Sequence, residues 1–397
     1  MELNPKSRFK GFSDIWRTQT IGDCFSERKE RSGEGEMISV TINSGIRKAK
    51  ELDRTVHIND TSKYKVVRKG DIAYNSMRMW QGASGYSPYD GILSPAYTVI
   101  TPRENILSEF FAYLFKHPEL IHVFELNSQG LTSDTWNLKY DKLKDIVVSL
   151  PDTTDEQLII AQFFSRLDAL IASEDKKLEK LKNLKSASLE KMFPRKGEMT
   201  PQVRFIGFVG EWRKEELSEV AGYYRVSNET VHHQNLLSLS YGKIVKRNIK
   251  SKKGLLPASF DTYQVVKNNI IVLRFTDLQN DHKSLRVGLS KEEGIISPAY
   301  VCLECKGTIN PEYLYLLLHY FDLCKVFYGM GDGMRQTLSY SDIKDLMLFI
   351  PEDEKEQKKI VDYFSRLDVL VSSQEKKLCK LRSLKKALLE KMFVSVQ

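Results

Sequence analysis

Two stretches of this chain carry apolar side chains at three- and four-residue spacing for far longer than an ordinary globular helix. In 150–193 they are Ile160, Phe164, Leu167, Ile171, Leu178 and Leu181. In 350–393 they are Ile360, Phe364, Leu367, Val371, Leu378 and Leu381, at an offset of 200 with no gap. A stripe near the coiled-coil period predicts one helix in each stretch. Pro151 and Pro351 stand just ahead, where proline suits a helix entrance, and Asp155 and Glu354 add negative charge to the first turn. No Gly or Pro interrupts either helix. About 38 residues at roughly 1.5 Å each make a rod of about 57 Å. A helix with a single apolar stripe cannot bury it alone, whereas two copies can bury each other. A generic dimerisation handle would account for the rods, but the repetition extends well beyond them.

Short β-branched and aromatic runs bounded by Gly, Asn and Asp fill 20–102 and 217–307 and predict strands. Helical patterns follow at 109–124 and 311–327, then a short helix and a strand (146–150 and 346–350) leading into each rod. The segment 194–203, with Pro, Gly and charge, reads as a linker. The expected fold is α+β: two similar globular domains, 1–150 and 204–350, alternating with long helices in 151–193 and 351–397. The first rod carries the chain to the second domain and the second must begin there. Rods that pack together are therefore antiparallel, which implies a pseudo-twofold axis and termini that lie close together.

Composition narrows the class. At 397 residues the chain is long enough for two or three domains, and 41% hydrophobic content is ordinary for a globular protein. A net charge of +8 suits nucleic acid as a partner. Five scattered cysteines (Cys24, Cys302, Cys305, Cys324, Cys379) argue for a reducing compartment over a disulfide framework. The polar N-terminus and the lack of any long apolar run point to the cytoplasm. Two similar basic domains held apart by a rod of this length form a ruler spanning between one and two turns of B-DNA. They would read two half-sites across an unread spacer.

Further motifs recur in order. Arg8-Phe9-Lys10-Gly11-Phe12 with Trp16 matches Arg204-Phe205-Ile206-Gly207-Phe208 with Trp212. Ser94-Pro95-Ala96-Tyr97 matches Ser297-Pro298-Ala299-Tyr300. Glu156-Gln157 and Glu356-Gln357 follow the two prolines, the sequence FSRLD occupies 164–168 and 364–368, and both rods end in LEKMF. Across essentially the whole chain this arrangement resembles the specificity subunit of type I restriction-modification systems. The resemblance implies two target recognition domains, each reading one half of a gapped, asymmetric site in double-stranded DNA. It implies an antiparallel helix pair that sets the spacer. It also implies docking of two modification (adenine methyltransferase) subunits and of restriction subunits with nuclease and translocase activity. The sites for S-adenosylmethionine, ATP and magnesium would then lie in those partners, with no cofactor and no catalytic residue in this chain.

The residues themselves offer no catalytic set. The SPAY segments look faintly like a methyltransferase loop, but the third residue is Ala and no Gly-rich cofactor loop precedes them, so they read as strand starts after a turn. Gly329-Met330-Gly331-Asp332-Gly333 follows a helical pattern and lacks the Gly-Lys-Ser/Thr ending of a phosphate loop. Cys302 and Cys305 have no second pair, and strand alternation points them to opposite faces. The histidines form no ligand spacing.

Candidate DNA contacts are Lys and Arg for phosphates, and Arg, Lys, Asn, Gln, Ser and Thr on projecting loops for base edges. Three loop regions in each half qualify. The first holds Asn43, Ser44, Arg47 and Lys48, against Tyr241, Lys243, Lys246 and Arg247. The second holds Asn75, Ser76, Arg78, Trp80 and Gln81, against Arg274, Thr276, Asp277 and Gln279. The third holds Thr132, Ser133, Thr135 and Trp136, against Asp332, Arg335, Gln336 and Thr337, with Arg335 and Gln336 the foremost candidates. The polar groups differ between the halves, as two readers of different sequence require. The alternatives are a stand-alone two-domain DNA-binding regulator, which would bind without partners, and an enzyme, which would methylate or cleave DNA unaided.

Overall fold

The structure is a computed structural model that describes residues 4–42, 45–51, 60–132, 135–195, 197–249, 256–257, 259–276, 278, 285–330 and 337–394. The chain forms two compact units. One holds residues 1–176 with 375–397, the other residues 177–374. Each unit thus contains a globular domain, the start of the long helix that follows it and the end of the other long helix.

In the first unit a four-stranded antiparallel sheet has the spatial order Phe25–Glu27, Tyr97–Pro102, Ile72–Asn75, Ser84–Tyr86. Three two-stranded ribbons accompany it. Arg17–Thr20 pairs with Val147–Leu150, Ile38–Thr41 with Gly45–Lys48, and Lys65–Val67 with Gly91–Leu93. The second unit repeats the plan. Its sheet runs Ala221–Tyr224, Val301–Cys305, Ile271–Leu273, Val287–Leu289. Its ribbons are Arg213–Glu216 with Met347–Ile350, Leu237–Ser240 with Lys243–Lys246, and Gln264–Val266 with Gly294–Ile296.

The helical pattern read over 109–124 is two helices, Ser108–Leu114 and Pro118–Leu126. Proline supplies no N–H and drives the residue before it out of the helical region, and His117 is accordingly extended. The pattern over 311–327 stops at Leu323, because Lys325 takes a left-handed backbone (φ 61°) and a 3₁₀ turn, Val326–Gly329, follows. Each SPAY segment turns between two strands: the Tyr97 N–H donates to the Ser94 carbonyl (3.1 Å) and the Tyr300 N–H to that of Ser297 (3.2 Å).

The long helices span Thr154–Met192 and Glu354–Met392. They pair antiparallel. Within the first unit, Asp168 accepts from Lys385 (2.5 Å) and Asp175 from Arg382 (2.7 Å), so residues ascend one helix as they descend the other. Within the second, Asp368 accepts from Lys185 (2.5 Å) and the hydroxyls of Ser188 and Tyr363 share a hydrogen bond.

The repeated motifs join helix to domain. The Arg8 guanidinium donates twice to the buried carboxylate of Glu156, and the Trp16 indole N–H donates to the same group. Arg204 does the same to the buried Glu356. Gln157 accepts from the Leu107 N–H and Gln357 from the Asn310 N–H, both at 3.0 Å, so each glutamine fixes the start of its domain's helix. Phe393 completes the first core, stacked on Phe164 (5.8 Å) and set edge-on to Trp16 (6.5 Å). Phe193 completes the second against Phe364 (6.2 Å) and Trp212 (6.5 Å). The Ser7 N–H donates to the Lys391 carbonyl (2.8 Å), so the first and last described segments run side by side, as antiparallel rods require.

Candidate nucleic-acid interface

The first candidate region is a β-hairpin in both domains, where the sequence suggested a strand followed by a loop. Arg47 and Lys48 lie on its second strand, Gly45–Lys48, and Lys243 and Lys246 on Lys243–Lys246. An Arg-Lys pair hides the period-2 signal that would mark the strand. Asn43 and Ser44 lie outside the described residues. In the second domain a two-residue turn joins Ser240 to Lys243, with positive φ at both Tyr241 (46°) and Gly242 (75°). That is the backbone of a tight hairpin turn, which asparagine and glycine ordinarily fill. Here it holds a strained, exposed tyrosine ring at the tip.

Charge around the hairpins is partly committed. Lys48 pairs with Glu36 (2.6 Å) and lies over the Tyr89 ring, and Lys246 pairs with Glu292 (2.8 Å). Arg47, Lys243 and Arg247 are exposed.

The second region follows the strand Ile72–Asn75. Arg78 is exposed and donates to the side-chain amide oxygen Oε1 of Gln81 (3.4 Å). Trp80 and Gln81 lie in the 3₁₀ turn Met79–Gln81. The Trp80 indole N–H donates to the Met77 carbonyl (3.0 Å), and its ring meets Trp136 edge-on at 5.3 Å. That ring pair, with the Leu138 N–H on the Ser76 carbonyl (2.8 Å), joins the second region to the third. Ser76 departs from the exposed placement expected of it: it is buried, and its hydroxyl shares a hydrogen bond with that of Thr98 (2.8 Å). In the second domain Arg274 and Thr276 are half-buried, and the Leu338 N–H on the Phe275 carbonyl (3.3 Å) makes the corresponding link. Gln279 lies outside the described residues, as does Asp277.

In the third region Thr132 and Thr135 are exposed and bond to each other across a turn. Thr337 is exposed. Ser133, Arg335 and Gln336 lie outside the described residues, with Asp332. In the first domain the hairpin also touches the second region directly. A Cβ on Gly85 would sit 2.7 Å from the Gly45 Cα, so only glycine allows this approach. The three regions of that domain are therefore joined by direct contacts.

Sequence reasoning missed two cations beneath these segments, Lys116 half-buried and Arg286 fully buried. The Lys116 ammonium donates to the carbonyls of Ile42 (3.2 Å), Ser84 (3.0 Å) and Gly82. Burial, with Lys385 nearby, pulls its pKa down to about 8. Arg286 is fully buried and donates to the carbonyls of Arg274 (3.2 Å) and Thr276 (2.6 Å). Sequence marks neither, since a lone Lys after a helix and an Arg before a short strand look like surface.

No group of His, Cys, Asp and Glu side chains among the described residues could hold a metal ion. Cys302 and Cys305 share one strand but belong to separate apolar clusters, and burial pushes both thiols up to about 12. No helix among the described residues is long and apolar enough to cross a membrane.

Comparison with known proteins adds the following. A family described as the type I restriction modification DNA specificity domain matches twice, over residues 10–183 and 209–382. A crystal structure of a type I restriction-modification system S subunit from M. genitalium superposes with a TM-score of 0.56. It is 16% identical and covers 99% of this chain and 100% of that one. A chain from a structure on complex assembly and conformational transition of the type I R-M system superposes with a TM-score of 0.54, at 16% identity, over 95% of this chain and 97% of that one. At such identity the likeness speaks for the fold. No curated protein matches the sequence.

Proposed function

Since the chain belongs to the type I restriction-modification DNA specificity family, we propose that each globular domain reads one half of a gapped, asymmetric site in double-stranded DNA. The paired helices set the spacer and dock two modification (adenine methyltransferase) subunits, and restriction subunits with nuclease and translocase activity join the complex. In this reading the chain carries no catalytic step. S-adenosylmethionine, ATP and magnesium act in the partners, and the complex works in the cytoplasm.

The observation that carries this reading is the doubled architecture with unlike polar groups at equivalent places. The hairpin of one domain offers Arg47 and Lys48, and that of the other offers Tyr241, Lys243 and Lys246. Lysine and arginine at such edges neutralise phosphates and fix register, while bidentate groups such as Arg78 and Gln81 read base edges in the major groove. Tyr241, exposed on its tight turn, offers a ring for contact with sugar or base. Arg335, Gln336, Asn43, Ser44, Ser133 and Gln279 belong to the same proposed set.

Methylation-site sequencing of cells expressing this chain with its modification subunit, against cells lacking this chain, tests the reading. A gapped, two-part adenine-methylated motif that disappears with the chain is expected. An active modification subunit that leaves no such motif would favour the stand-alone DNA-binding regulator.

A further inference from the structure

Each domain places one cation against the backbone of its reading loops, half-buried Lys116 in the first and fully buried Arg286 in the second. In the first, Lys116 bridges two of them. Ile42 lies at the hairpin tip, and Gly82 and Ser84 close the loop that carries Arg78, Trp80 and Gln81. In the second, the position equivalent to Lys116, counted from the helix start that each glutamine fixes, is His319. His319 lies against Gly242 in the hairpin turn, and burial keeps it neutral, with a pKa lowered to about 4. There the carbonyls of the corresponding loop are held by Arg286, at the far end of that same loop, whose Nε also donates to the Tyr328 hydroxyl (3.0 Å). The holding of these carbonyls is common to both domains although the residue and the element that supply it differ.

Withdrawing a charge from water, in part at Lys116 and wholly at Arg286, is costly, and an apolar side chain at either place would pack with less desolvation. What a cation adds is convergence. Lys116 draws carbonyl dipoles of the hairpin and the neighbouring loop to one point, and Arg286 ties the exit of its own loop to the entry at Arg274 and Thr276, so the joined pieces move together. Loops ordered before binding lose less freedom when DNA arrives, and they cannot shift to accommodate a wrong base.

We propose that Lys116 and Arg286 are positioning residues for DNA reading, each fixing the backbone of its own domain's loops so that stringency in one half-site depends on it. This rests on the half-site reading above.

The test is methylation-site sequencing of cells expressing the full-length chain, its Lys116→Met variant or its Arg286→Met variant, each with the modification subunit. Lys116→Met is expected to degrade one half of the motif and Arg286→Met the other half. Mismatched sites in the affected half should gain methylation by about tenfold or more relative to the cognate site. Lys116→Arg and Arg286→Lys, which keep a cation, are expected to retain the wild-type pattern. Folded Met variants that keep full stringency in both halves, or lose it equally in both, overturn the proposal. A wild-type chain giving no two-part motif overturns the half-site reading instead. If circular dichroism shows the Met variants unfolded, Lys116→Gln and Arg286→Gln decide. Degradation confined to one half by each supports the proposal, and unchanged stringency or renewed unfolding overturns it.

Discussion

Arg8 donates to both oxygens of Glu156, at 2.6 and 2.7 Å, across 148 positions of sequence. The carboxylate is buried and the arginine nearly so, and this fork fastens the start of the domain to the start of its long helix. Removing one partner of such a pair strands a buried charge and costs about 3–5 kcal/mol. Arg8→Ala should therefore lower the unfolding free energy of the first unit by that amount and leave the second unit's transition in place. Arg204→Ala should do the converse. Two calorimetric transitions that move together in either variant would refute the separate stapling of the units.

The second unit should weaken in acid. Burial, helped by Lys185, holds His319 at a pKa of about 4, well below the ordinary histidine value of about 6.5. The unfolded chain takes up a proton that the folded one refuses, so this stability is complete above about pH 6.5 and is lost as pH falls towards 4. The amount is about 3 kcal/mol. In His319→Gln, denaturant midpoints measured from pH 7 to 4 should fall less steeply than in the wild type. Parallel curves would refute this assignment.

Salt dependence separates the hairpin lysines. Each phosphate contact contributes about −0.9 to the slope of log K against log salt. Lys243→Ala should reduce the slope of the assembled complex by about that amount. Lys246, already committed to Glu292, should contribute less. An unchanged slope for Lys243→Ala would remove the hairpin from the DNA surface.

The ruler is tested by length. One extra heptad in each long helix, inserted at equivalent places, keeps the apolar stripe in phase and adds about 10 Å. That corresponds to about three base pairs of spacer. Methylation motifs should keep both half-sites and lengthen the gap. Altered half-sites with an unchanged gap would contradict the proposed division of labour.

Much of the fold was legible because repetition doubles every signal. The stripes that include Phe164 and Phe364 could be read as helices from spacing alone, and their order required antiparallel pairing. The motifs that announce the family were visible as recurrences, but their work was not. Nothing in the sequence tells Arg8 that its partner is Glu156, since only the folded chain brings them together. The candidate surface was legible by region and less so by residue. Arg47 and Lys48 proved to be on a strand because two charged residues in a row mask alternation. Ser76 proved to be buried because a single hydroxyl carries no burial signal. Lys116 was invisible for the opposite reason, being a charged residue whose partners are all backbone carbonyls, which the side-chain sequence does not record.

The placement of Phe393 bears on how the molecule is born. The second core is complete once Leu367 has been made, since its remaining apolar members precede it in the chain. The first core needs Leu389, Met392, Phe393 and Val394. Domains generally close in the order of their synthesis. Here the half translated first is finished last, and until the final turn of the second long helix leaves the ribosome its apolar interior stands open to chaperones and proteases.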